Sequence, residues 1–295
     1  MGKLRRIVFC PLLLCSIYAF AEVPVEESKF TPTGISPYFF GPYTYPVPDL
    51  DEAKTNDRLR FQLAGDCVIG HLAGYSNKDY TGAISFKLSI PLWTDRVNFN
   101  CWGELREWWK DTPQTRTLRR YDNSYALDGN GSGQIWLGLD ALVLRENEKR
   151  PAIVVSVNML TAAGGNYARA RHYDAPGYHF TASFGKSIAL ASESTLRFSA
   201  TGGFLCWQTD RGAQNDAVLA GAKVSYNHKT VSISAEYASY IGWEKFYDVP
   251  QTVKCRIDFH IGRFTPFIYY VHGIKDWPFD QIRCGLCTDF KILHQ

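Results

Sequence analysis

The chain has 295 residues, is 45% hydrophobic and 21% charged, and carries a formal charge of +3, a length that admits one large domain or two ordinary ones. Residues 1–21 hold Lys3, Arg5 and Arg6 and no acid, so the remainder is formally neutral, and the mildly basic balance of the whole chain is no argument for nucleic acid. No stretch after residue 21 approaches the ~18 consecutive apolar residues of a membrane helix, which excludes helical spans and leaves strands open.

The N-terminus reads as a secretory signal peptide. "MGKLRR" is its basic region, "IVFCPLLLCSIYAF" its apolar region, and Ala19-Phe20-Ala21 a small-x-small cleavage site. Residues 22–56 form an arm rich in proline and aromatic side chains with no sustained period, which predicts irregular backbone. Two readings stand: a periplasmic linker, or a plug whose Tyr38, Phe39, Phe40, Tyr43 and Tyr45 enter the fold or contact a greasy substrate.

From Asp57 onward, alternation of apolar and polar residues predicts one strand after another. The first sets Leu59, Phe61, Leu63, Cys67 and Ile69 against Arg60, Gln62, Ala64 and Asp66. The second, Gly82 to Trp93, sets Ile84, Phe86, Leu88 and Ile90 against Ala83, Ser85, Lys87 and Ser89. The third places Val97, Phe99, Cys101 and Leu105 on its apolar face and Asn98, Asn100, Glu104 and Arg106 on its polar one. After a long polar connection, Asp111 to Ser132, a fourth strand alternates Ile135, Leu137 and Leu139 with Trp136, Gly138 and Asp140, and a fifth carries Ile153, Val155, Val157 and Met159. Strands six to nine are marked by Tyr178/Phe180/Phe184, Leu196/Phe198/Phe204, Val218/Val224/Tyr226 and Val231/Ile233/Tyr237. The last three carry Val253/Ile257/Phe259, Phe267/Tyr269/Val271 and Ile282/Leu286/Phe290/Ile292 on the same template.

Connections after even strands are short ("TDR", "RENEKRP", "NHK", "GRFT"), and those after odd strands, "GIKDWPFD" included, are mostly longer. Aromatic residues collect near both ends: Trp93, Phe99, Tyr226, Phe264, Phe267 and Phe290 at the short turns, Trp109, Tyr178, Trp207, Trp243 and Trp277 at the long loops. Together these features predict an all-β fold: a transmembrane, antiparallel, up-and-down β-barrel of about twelve strands over residues 57–295, with short periplasmic turns and longer extracellular loops. A soluble sandwich or lipocalin-like barrel shares the alternation but requires neither the loop asymmetry nor the girdles.

With lipid on the apolar face, the lumen receives Arg60, Lys87, Arg106, Arg197, Lys223, Lys254, Arg256 and Arg283, along with Asp66, Glu104, Asp140, Glu236, Asp258 and Asp289. Charges of both signs in such a shell need pairing or hydration, so they predict either a salt-bridge network that stiffens the wall or a selectivity lining for a solute path.

Signatures of catalysis are weak. No H-E-x-x-H, G-x-S-x-G or phosphate loop occurs, and the nearest nucleophile arrangement is His179 with Ser183 on one face of the sixth strand. Cys284 and Cys287 form a C-x-x-C, but three residues apart on a strand they face opposite ways. "DGNGSG", Asp128 to Gly133, lacks the remaining acids of a calcium loop and reads as a flexible outer loop. "RARHYD", Arg169 to Asp174, reads as a solvated basic loop, with lipopolysaccharide phosphate as the alternative contact. Neither metal nor cofactor is expected.

Residues 131–165, "GSGQIWLGLDALVLRENEKRPAIVVSVNMLTAAGG", resemble the strand-turn-strand segment of the transporter-like outer-membrane barrels of the phenol-degradation MetA type, with their G-x-G-(D/Q) entry and P-x-h-x-h second strand. The resemblance implies an outer-membrane barrel with a role in uptake of small, often hydrophobic compounds, and brings no catalytic residues. The expectation is a channel or uptake protein in the outer membrane of a Gram-negative bacterium, after Sec-type cleavage near Ala21. Its partners would be membrane lipid, lipopolysaccharide, the barrel-assembly machinery and a small solute, not nucleic acid. The alternatives are a lipid-modifying barrel enzyme and a sealed structural or adhesion barrel.

Overall fold

The computed structural model describes residues 40–71, 79–92, 95–161, 163–165, 169, 171, 176–190, 193–208, 214–242 and 249–291. The signal segment, Tyr38, Phe39, Trp93, Trp243 and Ile292 lie outside these residues. Twelve antiparallel strands close on themselves: β1 (Leu59–Gly70), β2 (Tyr80–Pro91), β3 (Val97–Lys110), β5 (Ile135–Leu144), β6 (Ala152–Leu160), β7 (Gly177–Ala189), β8 (Thr195–Gln208), β9 (Gln214–Asn227), β10 (Val231–Gly242), β11 (Gln251–Phe259), β12 (Phe264–Lys275) and β13 (Phe279–Phe290). Each pairs with its sequence neighbours, and β1 pairs with β13 from Leu59↔Phe290 to Gly70↔Phe279, so no edge is left open. The connection between β3 and β5 adds helix α1 (Pro113–Arg119) and a short strand β4 (Asp128–Gly131) paired with the end of β3.

Burial is inverted relative to a water-soluble barrel. Ile84 is 40% and Ile282 51% exposed on the outside, whereas Ser85, facing in, is 4% exposed. Each large apolar side chain left in water forgoes ~1.5–3 kcal/mol of burial, so a continuous apolar outer face fits lipid.

Two features redirect side chains that strict alternation would have placed. On β3 the register slips opposite Ile84/Ser85: Ser85 faces Glu104 but Ile84 faces Arg106, so Leu105 is an extra residue. A bulge of this kind reverses the faces beyond it. Arg106 therefore points outward to Asn130 rather than into the lumen, and Glu107 and Trp109 turn inward. On β12 both faces are apolar, so periodicity assigned the wrong one: Phe267, Tyr269 and Val271 are buried inside, while Ile268, Tyr270 and Ile274 lie on the outside.

The girdles change members accordingly. Trp109, Trp207 and Trp277, expected at the long-loop interface, are all buried in the interior. Tyr80, Trp108, Tyr178 and Tyr270 occupy the outer face towards that end, while Phe264 and Phe290 keep their expected places at the other. The last connection, between β12 and β13, spans only residues 276–278, shorter than expected. "DGNGSG" is no flexible loop, since Asp128–Gly131 is strand β4.

Candidate functional site

The described part of the arm, residues 40–56, threads the barrel from the long-loop mouth to the short-turn mouth. At the first, Trp277 Nε1 donates to Pro42 O at 3.3 Å, Arg119 Nη2 to Phe40 O at 3.4 Å, and the Thr44 hydroxyl to Arg171 O. At the second, Thr55 donates to Asp95 O in the β2–β3 turn, and Asn56 exchanges hydrogen bonds with Asn98 at 2.8 and 3.0 Å. A proline-rich segment suits this position, because its unpaired backbone can be served by wall side chains instead of a ladder. Of the arm aromatics, Phe40, Tyr43 and Tyr45 are buried inside the barrel.

Apolar packing fills the long-loop half. Phe40, Tyr45, Val47 and Leu50 pack with Trp136, Trp207, Leu219 and Tyr240, and Tyr43 packs with Val68, Phe267, Val271 and Trp277. A cavity of about 810 Å³ lies between the arm and the inner wall, lined by polar and charged groups and also by Trp102, Trp136, Leu219 and Trp277.

Most of the charges assigned to the lumen are paired. Arg60 meets Asp289 at 2.7 Å, Arg256 meets Asp258 at 2.8 Å, and Arg283 meets Asp66 at 2.7 Å. Several of them hold the arm. Lys254, 2% exposed, donates to Val47 O at 3.0 Å, Pro48 O at 2.9 Å and Asp49 at 2.7 Å, with Glu236 at 3.2 Å. Glu236 also accepts from Leu50 N at 3.0 Å. Arg197 donates to Glu52 O at 2.7 Å, Ala53 O at 3.0 Å and Glu146 at 2.6 Å, while Lys223 lies 3.6 Å from Glu52. Asp66 is a buried acceptor for Arg283, Gln281, Ser85 and Tyr43. Neither Asp66 nor Arg197 lines the open cavity.

Three of the expected lumen charges border the cavity without an ion pair among the described residues. Lys87 lies 5.6 Å from the Trp102 ring centroid, Asp140 accepts from Asn100 Nδ2 at 2.6 Å, and Glu104 lines the cavity from β3 opposite Ser85. His179 and Ser183 both face inward, but four residues along a strand separates them by ~14 Å. Ser183 instead meets Thr201 at 2.8 Å and His179 lies 3.4 Å from Asn158, so no nucleophile–base pair forms. Cys284 faces out and Cys287 in, as their spacing requires. Among the described residues no cluster of three or more His, Cys, Asp or Glu side chains is arranged to hold a metal ion.

The long-loop mouth holds a charge network that periodicity did not reveal. Arg119, on the last turn of α1, pairs with Asp79 at 2.5 Å and Asp111 at 3.0 Å, and Arg171 pairs with Glu107 at 2.8 Å and Asp79 at 3.1 Å, all fully buried. Arg171 belongs to "RARHYD", so that segment is not simply a solvated patch: Arg171 is interior and Arg169 lies over the Tyr125 ring at 5.0 Å. Burial raises the Asp79 carboxyl, but the guanidinium groups of Arg119 and Arg171 override it and hold the group at about 2. Asp111 stays above the ordinary carboxylate value, because burial outweighs the pull of Arg119. A local signal for α1 was available: Thr112-Pro113 is an N-cap followed by proline in the first turn, and Thr112 Oγ1 accepts from Thr115 N at 3.1 Å.

No protein-family model matches the chain, and no curated protein matches it in sequence. Its fold is similar to that of an outer-membrane channel from Pseudomonas putida F1, with a TM-score of 0.58 and 11% identity over 82% of this chain and 100% of that one. Other similar structures are the NanC porin (TM-score 0.48, 11% identity, 77% of this chain and 100% of that one) and the transport unit of the autotransporter AIDA-I from Escherichia coli (TM-score 0.46, 11% identity, 90% and 97%). The first likeness shows an outer-membrane type of β-barrel fold.

Proposed function

We propose that this protein is an outer-membrane channel for small solutes, in which the path runs beside the chain's own N-terminal arm. The carrying observation is the cavity of about 810 Å³ between arm and wall, lined by polar and apolar groups alike, inside a barrel whose outer face is apolar. The pairing of most lumen charges leaves a weak internal field, which suits diffusion of small, water-soluble molecules rather than capture of one ion. A greasy solute, the class implied by the MetA-type resemblance, would instead have to share the apolar zone that Phe40, Tyr45 and Trp136 already fill. Lipid around the wall, lipopolysaccharide against the long loops, insertion by the barrel-assembly machinery and signal cleavage near Ala21 belong to the same reading.

Planar-bilayer recording with the folded protein, checked by its heat-dependent shift on gels, tests this. A small steady conductance and liposome swelling in low-molecular-weight solutes are expected. A folded barrel that shows neither would refute the channel. That outcome would favour a sealed structural barrel, a reading supported by the buried layer of Arg119, Arg171 and aromatic side chains across the long-loop mouth.

A further inference from the structure

The arm divides the interior unequally. Its side-chain and backbone ties between residues 47 and 53 run to β8 through β12, through Arg197, Ser225, Glu236, Lys254 and Tyr269. The opposite wall, on β3, β5, β6 and β7, carries Asn100, Asp140, Ser156, Asn158, His179 and Thr181, all bordering the cavity. Among the described residues none of these six side chains is hydrogen-bonded to the arm.

These six form a contiguous lattice. Asp140 is opposite Ser156 and Ser156 opposite Thr181, while Asn158 lies opposite both Gly138 and His179, and Gly138 opposite Asn100. A Cβ at Gly138 would collide with the Asn158 amide oxygen, so the glycine makes room for that amide. The Ser156 side chain, 3% exposed, is left without a hydrogen-bond partner among the described residues. With Asn158 Nδ2 donating towards His179 Nδ1, the imidazole Nε2–H remains a donor. Amides, hydroxyls and an imidazole supply donors and acceptors in close alternation, with one carboxylate among them.

Resting on the channel reading, we infer that this wall is a subsite for a neutral polyhydroxylated solute, a sugar or sugar alcohol. Such a molecule has no net charge to be drawn onto the paired lysines and arginines of the far wall. Each of its hydroxyls can donate to Asp140 or an amide oxygen and accept from an amide N–H or the imidazole. As the solute moves, it exchanges one set of hydrogen bonds for an adjacent set, so it binds weakly enough to leave.

The test uses full-length protein in liposomes, with swelling in mannitol, arginine and gluconate, alongside KCl conductance. Intact protein should pass mannitol faster than either charged solute, and millimolar mannitol should reduce the KCl current. Asn158→Leu combined with Thr181→Val should lower mannitol flux about five-fold, the change that one lost hydrogen bond produces, and leave KCl conductance nearly unchanged. Ser232→Ala, across the cavity, should have no such effect. Equal passage of the three solutes, or an equal fall for all in the double variant, would overturn the subsite while the channel stands. Absence of both conductance and swelling would overturn the channel itself and the subsite with it. A double variant that lost its heat-dependent gel shift would be replaced by Ser156→Val, with the same expected selectivity.

Discussion

Lys254→Met removes the charge that fixes the middle of the arm. Lys254 is 2% exposed and serves two arm carbonyl oxygens, Asp49 and Glu236, all within 3.2 Å. Asp49 is 59% exposed, so solvent screens its share and most of the loss falls on Glu236 and the two carbonyls. Breaking a buried pair of this type costs about 3–5 kcal/mol, since Glu236 keeps the Leu50 N–H but only a distant cation, Lys223 at 3.9 Å. At ~1.4 kcal/mol per tenfold, the equilibrium between docked and undocked arm moves by about two to three and a half orders of magnitude. The barrel's own ladder is untouched, so the gel shift should persist while single-channel records become noisier and reach larger open levels. Records and thermal midpoint identical to those of the parent would refute the role assigned to Lys254 in anchoring the arm.

At the long-loop mouth the two acids respond oppositely to pH. Asp79, depressed in the folded state, contributes stability above its unfolded value that is lost only as pH falls through about 2, whereas Asp111, raised in the folded state, becomes less costly as pH falls through its folded value. Acidification from pH 7 to 4 should therefore leave this mouth as tight or tighter in the parent, with the Asp111 contribution removed in Asp111→Asn. Thermal midpoints against pH check this, and an opening confined to mild acid would contradict it. Lys87 is a lumen cation with no ion pair among the described residues, so Lys87→Glu should shift the reversal potential in a KCl gradient towards cation preference. A reversal potential that stays put would show that ions pass elsewhere. A spin label at Arg106→Cys should meet lipid-soluble oxygen more readily than a water-soluble nickel chelate, the reverse of a label at Lys87→Cys. Equal relaxation at the two positions would remove the Leu105 bulge from the account.

Much of the barrel was legible because the outer face repeats every second residue over ten or more positions, and one environment, lipid, acts on all of it. Ile84 to Ile90 and Ile153 to Met159 lie where alternation put them. Alternation fails where it carries no contrast or where the count slips by one. On β12, Phe267 and Ile268 are equally apolar, and inside the barrel Phe267 and Val271 meet the apolar part of the arm at Tyr43, so neither face is marked as wet. On β3, one extra residue at Leu105 reverses everything beyond it and moves Trp109 from the predicted girdle to the interior. The lumen charges were found as a set, but their function of holding the arm was not, because Arg197 and Glu52 are 145 positions apart. The wall of amides and hydroxyls was missed for a different reason: Asn100, Ser156, Asn158 and Thr181 come from three strands, and no short motif connects them.

Single-channel conductance of the intact chain, compared with one whose residues 47–53 are replaced by glycine and serine, tests the central claim most directly. The side-chain ties of Asp49 to Lys254 and Tyr269 and of Glu52 to Ser225 are then lost, together with the packing of Val47 and Leu50, and the flexible replacement loosens the backbone that Glu236 and Arg197 hold, while every strand remains. A small, steady conductance that becomes several-fold larger, in a barrel that still shifts on heating, is the predicted result. Equal conductance from the two folded proteins would contradict an arm that occupies the path.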